Sequence, residues 1–160
     1  MSNFFLERRA SGMDNARIEC EGGMNVKCVI VVDRDLPIGL KTNAAAALGM
    51  SLGAQVDGVI GPDVTDADGY THRGITKVNL PILMASAEEL KELHGRVALA
   101  SDSDVSVIGF SKLAQGCKSY DLYRERMSGT QTSELEFSGL CIFGADKKVS
   151  GLTGALPVLR

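Results

Sequence analysis

Asp33 and Asp35 flank Arg34 directly after an uninterrupted β-branched run, Val29 to Val32, and Lys41, Thr42 and Asn43 follow within one short turn containing Pro37 and Gly39. Carboxylates in such a place can take a proton from a nucleophile or orient a cation. A lysine at a helix amino end, beside backbone amides without acceptors, can hold a phosphate or carboxylate, or stabilise negative charge that develops in a reaction. The plainer reading of the same residues is a solvated Lys41, capping by Thr42 or Asn43, and aspartates spent on turn hydrogen bonds and surface ion pairs.

A second polar group comprises Asp63, Asp66, Asp68, Gly69 and His72. Its spacing fails as a calcium loop. Counting back from Gly69 as the invariant glycine puts Val64 at the first ligand position and Ile75 where the bidentate glutamate belongs. The segment therefore reads as an Asp-rich turn. His72 beside it allows an Asp–His pair acting on a water or a nucleophile. His94 falls late in a helical stretch, where a solvated or dipole-facing role fits better. Cys20, Cys28, Cys117 and Cys141 make no C-x-x-C pair, and two of them sit in apolar runs, so buried reduced thiols are expected and no metal is. Neither G-x-S-x-G nor G-x-G-x-x-G occurs, which leaves no nucleophile elbow and no dinucleotide fingerprint, and no cofactor is expected.

These side chains need a scaffold, and the hydrophobic pattern supplies one. Val26–Val32 is apolar on both faces and is predicted to be a central strand covered on both sides. An alanine-rich helix over Lys41–Leu52 follows, closed by Gly53 and with a small-residue face of Ala44, Ala45, Ala47 and Leu48. Short β pieces are expected near Val56–Ile60 and Tyr70–Ile75. Val78–Ala85 is a second strand, with Pro81 placing it at an edge or bulge. Ser86 then caps a helix that carries Glu88 and Glu89 in its first turn and buries Leu90, Leu93 and Val97. Val105–Phe110 is a third strand. Ser111 opens a long helix to about Met127, and Tyr120 and Tyr123 upon it suit a core or dimer-interface position. Phe137–Phe143 is a fourth strand, and Ala155–Leu159 a terminal β piece. Alternating strands and helices predict a three-layer α/β/α fold around a four- or five-stranded mixed sheet.

Length and charge narrow the functional classes. The 160 residues suit one domain at 25–160 preceded by an extension at 1–24, although Met24 is an alternative start. Net charge is −3 and no window is dominated by Lys or Arg, which argues against extensive nucleic-acid binding but leaves a local RNA phosphate contact open. No leader pattern and no apolar stretch of membrane-spanning length occurs in the sequence, so the expectation is a cytoplasmic protein without a membrane partner.

Two segments carry a family likeness. Lys27–Ala47, with Asp35-Leu36, Gly39, Lys41 and Ala44-Ala45, resembles the opening of type II peptidyl-tRNA hydrolases. Leu140–Gly144 and Leu152-Thr153-Gly154-Ala155-Leu156 resemble that family's last strand and tail, and Gly129-Thr130-Gln131 is similar to its Thr-Gln motif. The whole pattern is closer to an uncharacterised bacterial family, domain of unknown function 2000, through Asp35-Leu36-Pro37, Asn43-Ala44-Ala45, Asp66-x-Asp68-Gly69, Pro81-Ile82-Leu83 and the Gly144–Gly154 tail. The resemblance implies a peptidyl-tRNA hydrolase II-like fold.

Two functional expectations follow. One is a protein that binds a small anionic ligand near the first strand–helix loop, through Gly39, Lys41, Thr42 and Asn43. The other is a hydrolase of an ester or amide in an acyl substrate, with Lys41 stabilising charge, Thr130 orienting water and Asp35 or His72 as base. A homodimer formed through an apolar face of residues 112–127 is the expected assembly.

Overall fold

Parity along one strand organises the domain. The structure is a computed structural model that describes residues 26–98 and 104–160, so the 1–24 extension and Cys20 lie outside the described residues. β1 (Val26–Asp33) is an inner strand of a four-stranded mixed sheet, in the order β4 (Ile82–Ala85), β1, β6 (Phe137–Ala145), β5 (Val105–Ser111). Its Cys28, Ile30 and Val32 enter one buried cluster, and its Val29 and Val31 enter the other. The unbroken apolar run from Cys28 to Val32 therefore feeds two cores, one per face.

The first core lies under α1 (Ile38–Gln55), which buries Ala44, Ala45, Leu48 and Leu52. Gly139 beneath it leaves room for this approach: a Cβ there would stand 2.9 Å from Val31 O and 3.1 Å from Leu48 Cδ1. The second core lies under α2 (Ala87–Ala98) and α5 (Asp146–Thr153), through Leu90, Leu93 and Val149. Helices on both faces make the three layers.

β4 (Ile82–Ala85) runs parallel to β1, whereas β6 (Phe137–Ala145) is antiparallel to both β1 and β5 (Val105–Ser111). β4 is shorter than the Val78–Ala85 strand expected. Pro81 stands just before it and offers its carbonyl to Ile30 N, at 3.0 Å. The chain end covers the outer side of β4, where Met84 N donates to Pro157 O and Leu159 N to Ile82 O. The expected terminal β piece is thus a single bridge, Leu83 to Val158. α2 begins as read, with Ser86 Oγ accepting from Glu89 N and Glu89 Oε2 accepting from Ser86 N, the reciprocal pair of a capping box.

Four further elements differ from the sequence reading. The first helix starts at Ile38 rather than Lys41, because Pro37 sets an extended φ, ψ of −55°, 149° and the chain turns helical immediately after it. Thr42 and Asn43 are consequently inside the helix and do not cap it. The helix expected from Ser111 to Met127 is two pieces, α3 (Lys112–Gln115) and α4 (Tyr120–Ser128), broken at Gly116 and restarted by a Ser119 cap. The β pieces expected before and after the Asp-rich turn contract to isolated bridges and a small hairpin, β2 (Val64–Thr65) with β3 (Thr71–His72). α5 is helical where the sequence predicts only a tail: Gly151, Ser150 and Thr153 are weak helix formers, and the burial of Val149 holds the segment.

Candidate functional site

Asp33, Ala85, Ser111 and Phe137 form one row at the end of the sheet where β1, β4 and β5 finish and β6 begins. Ligands of α/β sheets usually bind beyond the carboxyl ends of strands. The row is tied together by polar side chains. Asp33 is 2% exposed, its Oδ1 accepts the Asp35 amide at 3.0 Å, and its Oδ2 lies 3.3 Å from Lys112 Nζ. Lys112 also reaches Glu136 Oε2, at 3.0 Å. Ser138, fully buried, donates to Gln115 Oε1 at 2.7 Å, and Gln115 Nε2 donates to Leu40 O at 3.1 Å. The 33–40 loop is therefore fastened at its start by Lys112 and at its end by Gln115, while Arg34 pairs with Glu89.

Between those fastenings the loop is open. Asp35 and Pro37 to Leu40 are exposed, and a Cβ added to Gly39 would have nothing within 4 Å. Leu40 N and Lys41 N both donate to Pro37 O, at 2.9 and 3.1 Å. The Ile38 and Gly39 amides, as the first of the helix, have no intrahelical acceptor. No side chain caps this end and no acidic residue occupies its first turn. Lys41, half-exposed one turn in, makes no side-chain hydrogen bond or ion pair among the described residues. Thr42 Oγ1 is spent inside the helix on Ile38 O and Gly39 O, each at 3.0 Å, and Asn43 is exposed on the same turn. Three cavities lined by described residues, of about 820, 490 and 200 Å³, lie elsewhere.

The other candidates make local bonds of their own. Thr130 Oγ1 donates to Arg126 O at 2.9 Å, closing α4. His72 Nε2 lies 2.9 Å from Asp66 Oδ2 on the β2–β3 hairpin, and Tyr70 packs edge-on against its ring. Asp66 Oδ1 accepts the Asp68 and Tyr70 amides, an Asx turn, and His72 and these amides hold the carboxyl below its ordinary range. No hydrogen bond or ion pair joins Lys41, Asp35, Thr130 and His72 to one another among the described residues. His94 differs from its expected solvated role: it stacks on Phe137 at 4.4 Å, and burial pushes its pKa down.

Sequence reading missed Lys112, Glu136, Gln115 and Ser138. Two signals were present. Ser138 is a hydroxyl inside an apolar strand, which demands a partner. Asp33 and Lys112 are opposite charges just past the ends of two strands that flank the same antiparallel neighbour. Lys112 has its pKa raised by Glu136 and then by Asp33, against some desolvation. A raised folded-state pKa gives stability that is fully present below the ordinary value of 10.5 and is lost as pH climbs above it. Urea melts should show Lys112→Met less stable than the wild type at neutral pH, with the gap closing in strongly alkaline buffer.

The scaffold defines a class: an α/β domain with a four-stranded mixed sheet, helices on both faces, and a polar row at the carboxyl ends of its strands. The family described as protein of unknown function, DUF2000, matches over residues 26–160, and the chain belongs to that family. A solved structure, the protein of unknown function Atu0240 from Agrobacterium tumefaciens strain C58, is similar in fold at 17% identity and TM-score 0.76, covering 86% of this chain and all of its own. The comparison with curated proteins found no match. No helix among the described residues is long and apolar enough to cross a membrane, and none of their His, Cys, Asp and Glu residues cluster as a metal site.

Proposed function

We propose that the protein binds a small anionic ligand, a phosphate or carboxylate compound, at the exposed amino end of α1. The observation that carries this reading is a helix of 18 residues with no side-chain cap and no acidic residue in its first turn, and with a lysine one turn in that has no partner among the described residues. Aligned peptide dipoles and free amides favour an anion there. Gly39 lets the ligand approach the backbone, and Lys41 supplies a charge-assisted hydrogen bond. Asp35 beside them suits a ligand that also carries a donor, such as a hydroxyl.

Binding is favoured over turnover by where the hydroxyl and imidazole are spent. A hydrolase using Lys41, Asp35, Thr130 and His72 needs Thr130 released from Arg126 O and His72 released from Asp66. Calorimetry with inorganic phosphate and with acetate tests the binding reading. Lys41→Ala should weaken the better anion about tenfold, the worth of one charged hydrogen bond, at unchanged thermal stability. Equal affinities for the two proteins would remove Lys41 from the site. A turnover assay on peptidyl-tRNA and ester panels, wild type against Lys41→Ala, tests the hydrolase.

A further inference from the structure

We infer that a second site, separate from the anion-binding loop, lies in the groove between the carboxyl half of α1 and the β5–α4 segment, and that it takes a planar aromatic small molecule bearing one negative charge. The groove has a volume of about 490 Å³, within the few hundred to about 1,000 Å³ usual for small-molecule sites. Ala47, Met50 and Ser51 line it from α1 at helical spacing, so one stripe of the helix faces the groove while Ala44, Leu48 and Leu52 face the sheet. The floor comes from β5 through Ile108 and Phe110, and the far wall from Cys117 to Tyr123.

Shape and charge together select the ligand. Tyr120 and Tyr123 meet at 5.5 Å with their planes 62° apart, an edge-to-face pair that leaves ring surface open for a flat partner. Met50 and Tyr120 are 76% and 73% exposed, so the rim is apolar and wet in the unliganded chain. No acidic residue is among the described residues that line the groove. Lys118 is the only charged side chain among its described lining residues, and it makes no hydrogen bond or ion pair among them. The trough mixes tyrosine and aliphatic surface with Ser51, Gln55 and Ser119, and its one cation, without a partner among the described residues, complements an aromatic body with a single anionic group. A dication would be repelled, and a wholly aliphatic ligand would leave the tyrosine faces unused. Cys117, half-buried in the wall, adds a polarizable contact.

The test uses anilinonaphthalene sulfonate, an aromatic monoanion, and phenylnaphthylamine, the same aromatic body without charge. The full chain contains no Trp, so probe fluorescence is read without that background. Both probes should saturate at one equivalent. Lys118→Glu, at an exposed position, should weaken the sulfonate about tenfold and leave the neutral probe unchanged. Ala47→Phe should fill the trough and abolish both. Lys41→Ala should change neither, which separates this site from the one at the head of α1. The inference is overturned by non-saturating uptake, by sulfonate affinity that ignores Lys118→Glu or follows Lys41→Ala, or by a wild-type dimer in sedimentation that Ala47→Phe turns into a monomer. The last result would make the groove a contact between copies.

Discussion

Replacing Gly144 by alanine is expected to destabilise the protein by about 4 kcal/mol, the sum of a strained backbone and a steric clash. Gly144 has φ +148°, a conformation that residues with a Cβ rarely adopt. A Cβ built there would lie 2.0 Å from Asp104 O and 2.8 Å from Val105 Cα. Neither side can yield, because Gly144 is paired with Lys27 on one flank and Val105 on the other. Urea denaturation followed by circular dichroism measures the change. A loss under about 1 kcal/mol, the typical cost of any point mutation, would mean that β5 and β6 do not meet as described.

Leu48→Ala is the second large effect, at about 3 kcal/mol. Leu48 is 1% exposed and packs among Cys28, Ile30 and Val32 over the space left by Gly139. Alanine is the best helix former, so the loss isolates packing and leaves the helix itself intact. Met50→Ala, two residues on but 76% exposed, should stay within about 0.5 kcal/mol. The contrast between two neighbours on one helix tests its rotational setting. That setting also aims the amino end of α1, so Leu48→Ala should blur anion binding as well as lower stability.

The core was legible because it depends on pattern. A strand with an unbroken apolar run, Cys28 to Val32, has only one comfortable place, inside a sheet covered on both faces, and Val26–Asp33 occupies it. The Ser86–Glu89 capping box was legible for the same reason, since its partners are three residues apart. Features set by distant residues were not. Nothing local to Asp33 announces Lys112, and nothing near Ser138 announces Gln115, because those partners arrive through the β5–β6 pairing. The start of α1 was misplaced for a local cause: Lys41, Thr42 and Asn43 look like a cap, yet Pro37 has already committed the chain to helix. Lys41 thus stands one turn inside the helix and not at its first position, and the Ile38 and Gly39 amides are the foremost donors.

The central claim is therefore about particular amides. Titrating isotope-labelled protein with inorganic phosphate, and following backbone amide shifts by nuclear magnetic resonance, tests it most directly. The account predicts saturable shifts largest at Ile38, Gly39 and Leu40, and greatly reduced in Lys41→Ala. Shifts absent at these three amides while others saturate, or identical shifts in the variant, would contradict it.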